Sequence, residues 1–168
     1  SSPAPAGGSA SDSKSASALS SADSVKVTGA TTFRSRTGDS ITFDAQMMTN
    51  AKTIATAVAA LNPEGVTLTQ PERDRLFKMA IMTGIQESWM GTADNMNNGD
   101  DVGIFQQRSK VGWYADETTQ TANKAKLQDV AFQTANLIAG HTVKVTAAGG
   151  SPVGYHIPGL LDQSAWRT

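Results

Sequence analysis

Residues 69–89 read TQPERDRLFKMAIMTGIQESW, and the fold turns on how that run is phased. Thr69 followed by Glu72, with Pro71 in the first turn, is the pattern of a capping box that opens a helix. From there Leu76, Phe77, Ala80, Ile81, Gly84, Ile85, Ser88 and Trp89 recur at helical spacing and form one stripe. At 100° per residue the stripe centres near Phe77 and Gly84, and Glu87 falls about 80° from that centre, beside Leu76 and Ala80. The spacing predicts a partly desolvated carboxylate at the border of the buried face. Ile85, Trp89 and Phe105 are the neighbours expected to exclude water from it.

Upstream, Asp44 reads as the N-cap of another helix, whose apolar positions are Met47, Met48, Ala51, Ile54, Ala55, Val58 and Leu61. Met47 and Met48 are core filler in this reading. Asn62-Pro63 ends that helix, and Glu64-Gly65 turns the chain. Before it, Val25/Val27 and Ile41/Phe43 alternate between Gly29 and Gly38, as a short extended arm or small hairpin does. Downstream, residues 91–103 hold three Asn, three Asp and three Gly and read as a loop. Residues 102–107 suit a short strand or the start of a helix. A third helix is expected from Asp116 or Thr118 to Gly140, with Leu127, Val130, Ala131, Ala135 and Ile138 inward and Gly140 as its stop. A Gly-rich loop over 147–152 and a short segment ending at Trp166 complete the chain, without internal repeats. The fold class is mainly α with a short extended N-terminal arm.

The 168 residues suffice for one compact domain. Residues 1–24 are almost wholly Ser, Ala, Gly, Pro, Asp and Lys, with Leu19 the sole large apolar side chain. Such a segment cannot offset its ordering entropy and reads as a flexible linker or wall-spanning tail, or equally as a leftover of processing with no role, which leaves 25–168 as the domain. A net charge of −1 with no run of five like charges argues against electrostatic capture of nucleic acid or of an acidic membrane surface. No stretch reaches the roughly 18 apolar residues of a membrane helix. Without cysteine there is neither a disulfide framework nor a thiolate metal site. The N-terminus lacks the basic and apolar regions of a signal peptide, and its opening Ser1-Ser2-Pro3-Ala4-Pro5 reads as the mature end of a processed protein or a trimmed one.

The chemistry centres on Glu87. A carboxyl group donates a proton at near-neutral pH once burial against apolar groups disfavours its charged form, and glycosidic bond cleavage requires such a donor. The same spacing also describes an ordinary glutamate on a helix surface. A second carboxylate separates hydrolytic mechanisms, and Asp94, Asp100 and Asp101 are the acids nearby in sequence. Asp101, two residues before Gly103, equally suits a turn or a cap. The stretch from Asp94 superficially matches a calcium loop, but Met96 takes its third ligand position and Phe105 its twelfth, so the match fails. His141 and His156 have no partner at ligand spacing, and Ser88 lacks the strand-to-helix turn of a nucleophile elbow. No metal and no cofactor is expected.

The runs Asp44–Ile54, Ala80–Ser88 and Gly99–Arg108 with Gly112-Trp113 resemble lysozyme-like domains of secreted actinobacterial wall hydrolases. Glu-Ser followed by Gly-hydrophobic-hydrophobic-Gln is also the broader pattern of soluble lytic transglycosylases and goose-type lysozymes. The likeness covers residues 41–114 well and 127–166 loosely. It implies a helical lysozyme-like fold that acts, as a monomer, on the glycan strands of peptidoglycan outside the cell or in its wall. By this resemblance Glu87 is the catalytic acid and then base, and Gln106 faces the sugar. Ser88, Asp101, Gln107 and Trp113, in or near the same motifs, are further candidate substrate-contacting positions. Lytic transglycosylases manage with one carboxylate.

Three departures stand out. Residues 114–126 make a longer link than the family's usual one, and Tyr155 is not placed to line the groove. The family also continues past the Pro-Gly…Trp segment with a further helix, whereas this chain stops at Trp166-Arg167-Thr168. The alternative to an enzyme is a non-catalytic lysozyme-like module that binds wall glycan or another secreted protein. A spacer within a larger secreted enzyme ranks third.

Overall fold

The computed structural model describes residues 31–34, 38–142, 154, 156–163 and 166. The expectations for the tail over 1–24, for Val25 and Val27, for the loop over 147–152 and for Tyr155 lie outside them. Among the described residues the protein is mainly helical, with four α-helices and three two-stranded antiparallel pairs. The chain divides into two compact units, Ser1–Lys78 and Met79–Thr168.

In the first unit, β1 (Thr31–Arg34) and β2 (Ser40–Phe43) form a hairpin that pairs Thr31 with Phe43 and Arg34 with Ser40. Of the two expectations, an extended arm or a small hairpin, a hairpin forms, and its second strand carries the alternating Ile41 and Phe43. Phe43, fully buried, leads through Asp44 into α1 (Ala45–Ala60). The Asp44 carboxylate accepts from the Met47 amide at 2.9 Å, the expected N-cap. The buried face of α1 is Met47, Met48, Asn50, Ala51, Ile54, Ala55 and Val58. Its end is closed by a residue the pattern does not reveal. The Arg73 guanidinium donates to the carbonyls of Val58 and Leu61, both at 2.7 Å, satisfying acceptors that a helix C-terminus leaves open.

Helix α2 (Gln70–Ser88) begins with the predicted capping box. The Glu72 amide donates to Thr69 Oγ1 at 3.2 Å, and the Thr69 amide to Glu72 Oε1 at 2.9 Å.

In the second unit the chain leaves α2 into a polar loop and then the pair β3 (Asp101–Val102) and β4 (Gln107–Arg108). A 3-10 turn, Ser109–Val111, follows. The single helix expected over 116–140 is two helices, α3 (Gln120–Leu127) and α4 (Val130–Ala139). Thr119 and Asp129 each cap the start of one, and Asp129 accepts from the Phe132 amide at 2.8 Å. The inward face of α4 also differs from expectation: Gln133, Thr134, Asn136 and Ile138 are buried, while Ala131 is exposed.

Past Gly140, β5 (His141–Thr142) pairs with β6 (His156–Ile157). His156 clasps this end of the unit. Its Nδ1 lies 2.9 Å from Thr142 Oγ1 and its Nε2 3.0 Å from Asp162 Oδ2, which also accepts from the Gly159 amide at 2.7 Å. The bond to His156, then that to Gly159, holds the Asp162 carboxyl below its ordinary 3.8. A carboxylate favoured by folding adds stability at any pH above its unfolded value, and that stability fades as pH falls through the lower folded value. Acid denaturation followed by circular dichroism is therefore expected to be shallower below pH ~4 in Asp162→Asn than in the native chain. The effect is small, because the pair is 41% and 40% exposed.

Candidate functional site

The site grows from the last turn of α2. Ser88 is the last residue of the helix and is 2% exposed. Its hydroxyl donates to the Ile104 carbonyl at 2.8 Å and accepts from the Gly91 amide at 2.7 Å. One side chain thus ties together the helix end, the loop after it and the turn over 103–106 that joins β3 to β4. Gly84 lies on the same side, with Ile104 and Phe105 against it.

The turn has its own fastening. Gln106 adopts a left-handed backbone (φ 52°), and its amide group donates to the carbonyls of Met96 and Gly103 at 2.6 and 2.8 Å. Both side-chain hydrogens are thereby committed inside the protein, and Oε1 is the atom Gln106 can offer a ligand. Gln107 is 2% exposed; its Nε2 donates to the Gln133 carbonyl at 3.0 Å, and its Oε1 accepts from Asn136 at 3.3 Å. Asn136 also donates to the Trp113 carbonyl at 2.9 Å, which fixes the half-buried Trp113 after the 3-10 turn.

Gln133 sits at the centre of this frame. Its Oε1 accepts from the Phe105 amide and its Nε2 donates to the Val102 carbonyl, each at 2.7 Å. A buried amide that satisfies two backbone groups of a turn cannot be traded for a hydrocarbon without orphaning both. Gln133→Met is expected to cost about 2 kcal/mol, seen as a lower urea midpoint at unchanged slope.

Of the residues expected to act, Glu87 is exposed, and among the described residues none hydrogen-bonds or ion-pairs with its carboxylate. This corrects the expectation of a partly desolvated acid. An apolar stripe about 100° wide reaches only about 50° to either side of its centre, so a position about 80° away lies outside it. The neighbours named for desolvation behave unevenly, since Phe105 is buried, Ile85 is half-buried and Trp89 is 51% exposed. Asp101 is paired across the β3–β4 register with Arg108, Oδ1 to Nε at 2.9 Å and Oδ2 to Nη2 at 3.0 Å. Asp100 lies 3.6 Å from Lys110.

The turn and helix end therefore bring Ser88, Gln106 and Gln107 into one frame, with Ser88 and Gln107 spent within it. Gln133 and Asn136 were missed because helical phasing places amides outward by default. The two histidines have partners that spacing does not reveal. His156 meets Asp162, and His141 Nε2 lies 3.2 Å from Asp116 in a half-buried cluster. There Tyr114 donates to Glu117 at 2.7 Å, and that bond, with burial, pushes the phenol up to about 12. No family model, no curated protein and no solved structure matches the chain.

Proposed function

We propose that this chain is a secreted, lysozyme-like enzyme that cleaves the glycan strands of peptidoglycan, with Glu87 as acid and then base. The observation that carries the reading is the Ser88 hydroxyl on the Ile104 carbonyl at 2.8 Å. It joins the Glu-Ser pair to the Gly-Ile-Phe-Gln turn, the two sequence features on which the resemblance to wall hydrolases rests. Glu87 lies one residue before this bond, on a helix end that cannot shift independently of the turn.

In this mechanism Glu87 donates its proton to the glycosidic oxygen as the bond to the anomeric carbon breaks. It then takes a proton from the attacking oxygen. An attacking water leaves a reducing end, and attack by the sugar's own hydroxyl leaves an anhydro end. Gln106 Oε1 accepts from the substrate's N–H or O–H groups. Asp101 and Trp113 stand as outer contacts, and Ser88 and Gln107 hold positions rather than touching the sugar.

The test is the release of soluble muropeptides from Gram-positive walls by the native chain and by Glu87→Gln. Release by the native chain alone supports the reading, and the end groups on the fragments separate hydrolysis from transglycosylation. Equal release by both forms overturns it. The second reading, a module that binds wall glycan without cutting, draws on the exposure of Glu87. It predicts sedimentation with walls and no soluble fragments.

A further inference from the structure

Trp89, Met90 and Gly91 follow α2 with three successive left-handed backbones, at φ 52°, 58° and 81°. Glycine enters that region freely, but two bulky L-residues in a row are held there against their own sterics. The restraints are visible. The Trp89 amide donates to Ile85 O at 3.1 Å, the Met90 amide to Gly84 O at 2.8 Å, and the Gly91 amide to Ser88 Oγ at 2.7 Å. Met90 is fully buried, with its sulfur so close over Gly84 that a Cβ there would stand 2.9 Å away. Burying Met90 in this way turns the preceding residue outward, and Trp89 is left 51% exposed on a backbone with little freedom.

A surface turn of this kind needs no indole for its own stability. Strained backbone clusters at active sites and ligand clamps, and an exposed indole offers a broad apolar face. Trp89 is also two residues from Glu87, so their Cα atoms are within about 7.6 Å. We propose that the Trp89 indole is a stacking platform for an N-acetylated amino-sugar ring of the glycan strand, next to the bond that Glu87 cleaves. The flat apolar face of a pyranose matches an indole face, and a rigid aromatic binds it with little loss of side-chain freedom. As a positioning residue, Trp89 sets where the strand lies relative to the acid; this rests on the enzymatic reading of Glu87.

The experiment uses a β-1,4-linked N-acetylglucosamine hexasaccharide as probe and the full chain carrying Glu87→Gln, so that binding is read without cleavage. Trp166 is buried and Trp113 half-buried, so the indole most open to acrylamide is Trp89. The probe is expected to shield it from quenching. Adding Trp89→Ala is expected to remove that protection and weaken binding at least tenfold, while Trp89→Phe keeps most of the affinity. With Glu87 intact, Trp89→Ala raises KM on soluble glycan strands more than it lowers kcat, at an unchanged melting temperature. Equal affinity of the Trp89→Ala and Trp89 proteins, or no binding of the probe by the Glu87→Gln chain, overturns the platform. Failure of the enzymatic reading appears separately, as wall clearing by Glu87→Gln equal to that of the native chain.

Discussion

Glu87→Gln is expected to slow release of soluble wall fragments by a factor of about 10²–10⁴ while leaving the melting temperature where it was. The rate effect is the usual contribution of a positioned general acid, which in the proposed mechanism Glu87 supplies for both proton transfers. Stability is spared for a reason specific to this position. The carboxylate is exposed, and no described residue hydrogen-bonds or ion-pairs with it. Glutamine has nearly the same shape, and surface substitutions without such partners stay within about 0.5 kcal/mol. A fall in rate together with a fall in melting temperature would place Glu87 among the structural residues. Both quantities come from one preparation, by fragment release and thermal denaturation.

Gly103→Ala is expected to destabilise the second unit by about 4 kcal/mol, the sum of a backbone and a packing cost. Gly103 has φ +78°, where a Cβ is strained whatever the space around it. The space is also absent. A Cβ would stand 2.6 Å from Gln133 Nε2 and 2.7 Å from the Leu127 carbonyl oxygen. The first contact is with the amide that holds the turn, so relieving it breaks the bonds to Phe105 and Val102. The second is with backbone at the end of α3, which cannot swing aside. At about 2–4 °C per kcal/mol for a chain of this size, the midpoint should fall by about 8–16 °C. Gly99→Ala is the control, because nothing lies within 4 Å of a Cβ there. A similar fall in both variants would remove the clash at 103 as the cause.

Local signals were legible wherever the cause is local. Asp44 and the Thr69/Glu72 pair cap helices because their oxygens reach amides three residues away, a geometry set by spacing alone. Alternation at Ile41/Phe43 marks a strand for the same reason. The region over 116–140 was misread where tertiary polarity decides. Asp129 reads as one more residue in a helical run, yet as a cap it starts a new helix. Gln133 and Asn136 face inward because a turn and a strand elsewhere in the unit need donors and acceptors. Periodicity carries no information about that need. Glu87 shows how far phase reaches: about 80° from the centre it lies beyond a stripe some 100° wide, and it is exposed.

The turn over 103–106 follows a polar loop but has the fastening of a core, with Ile104 and Phe105 buried. Its Phe105 amide ends on Gln133 and its Ile104 carbonyl on Ser88, so α4 and the end of α2 both hold it. Opening it requires breaking bonds to two helices at once, which places it among the late-opening parts of the unit rather than with the fraying ones. A ligand meeting this face finds a surface already shaped. Little of its binding free energy is consumed in ordering the protein, and selectivity on this side comes from rigid mismatch rather than from adjustment to whatever arrives.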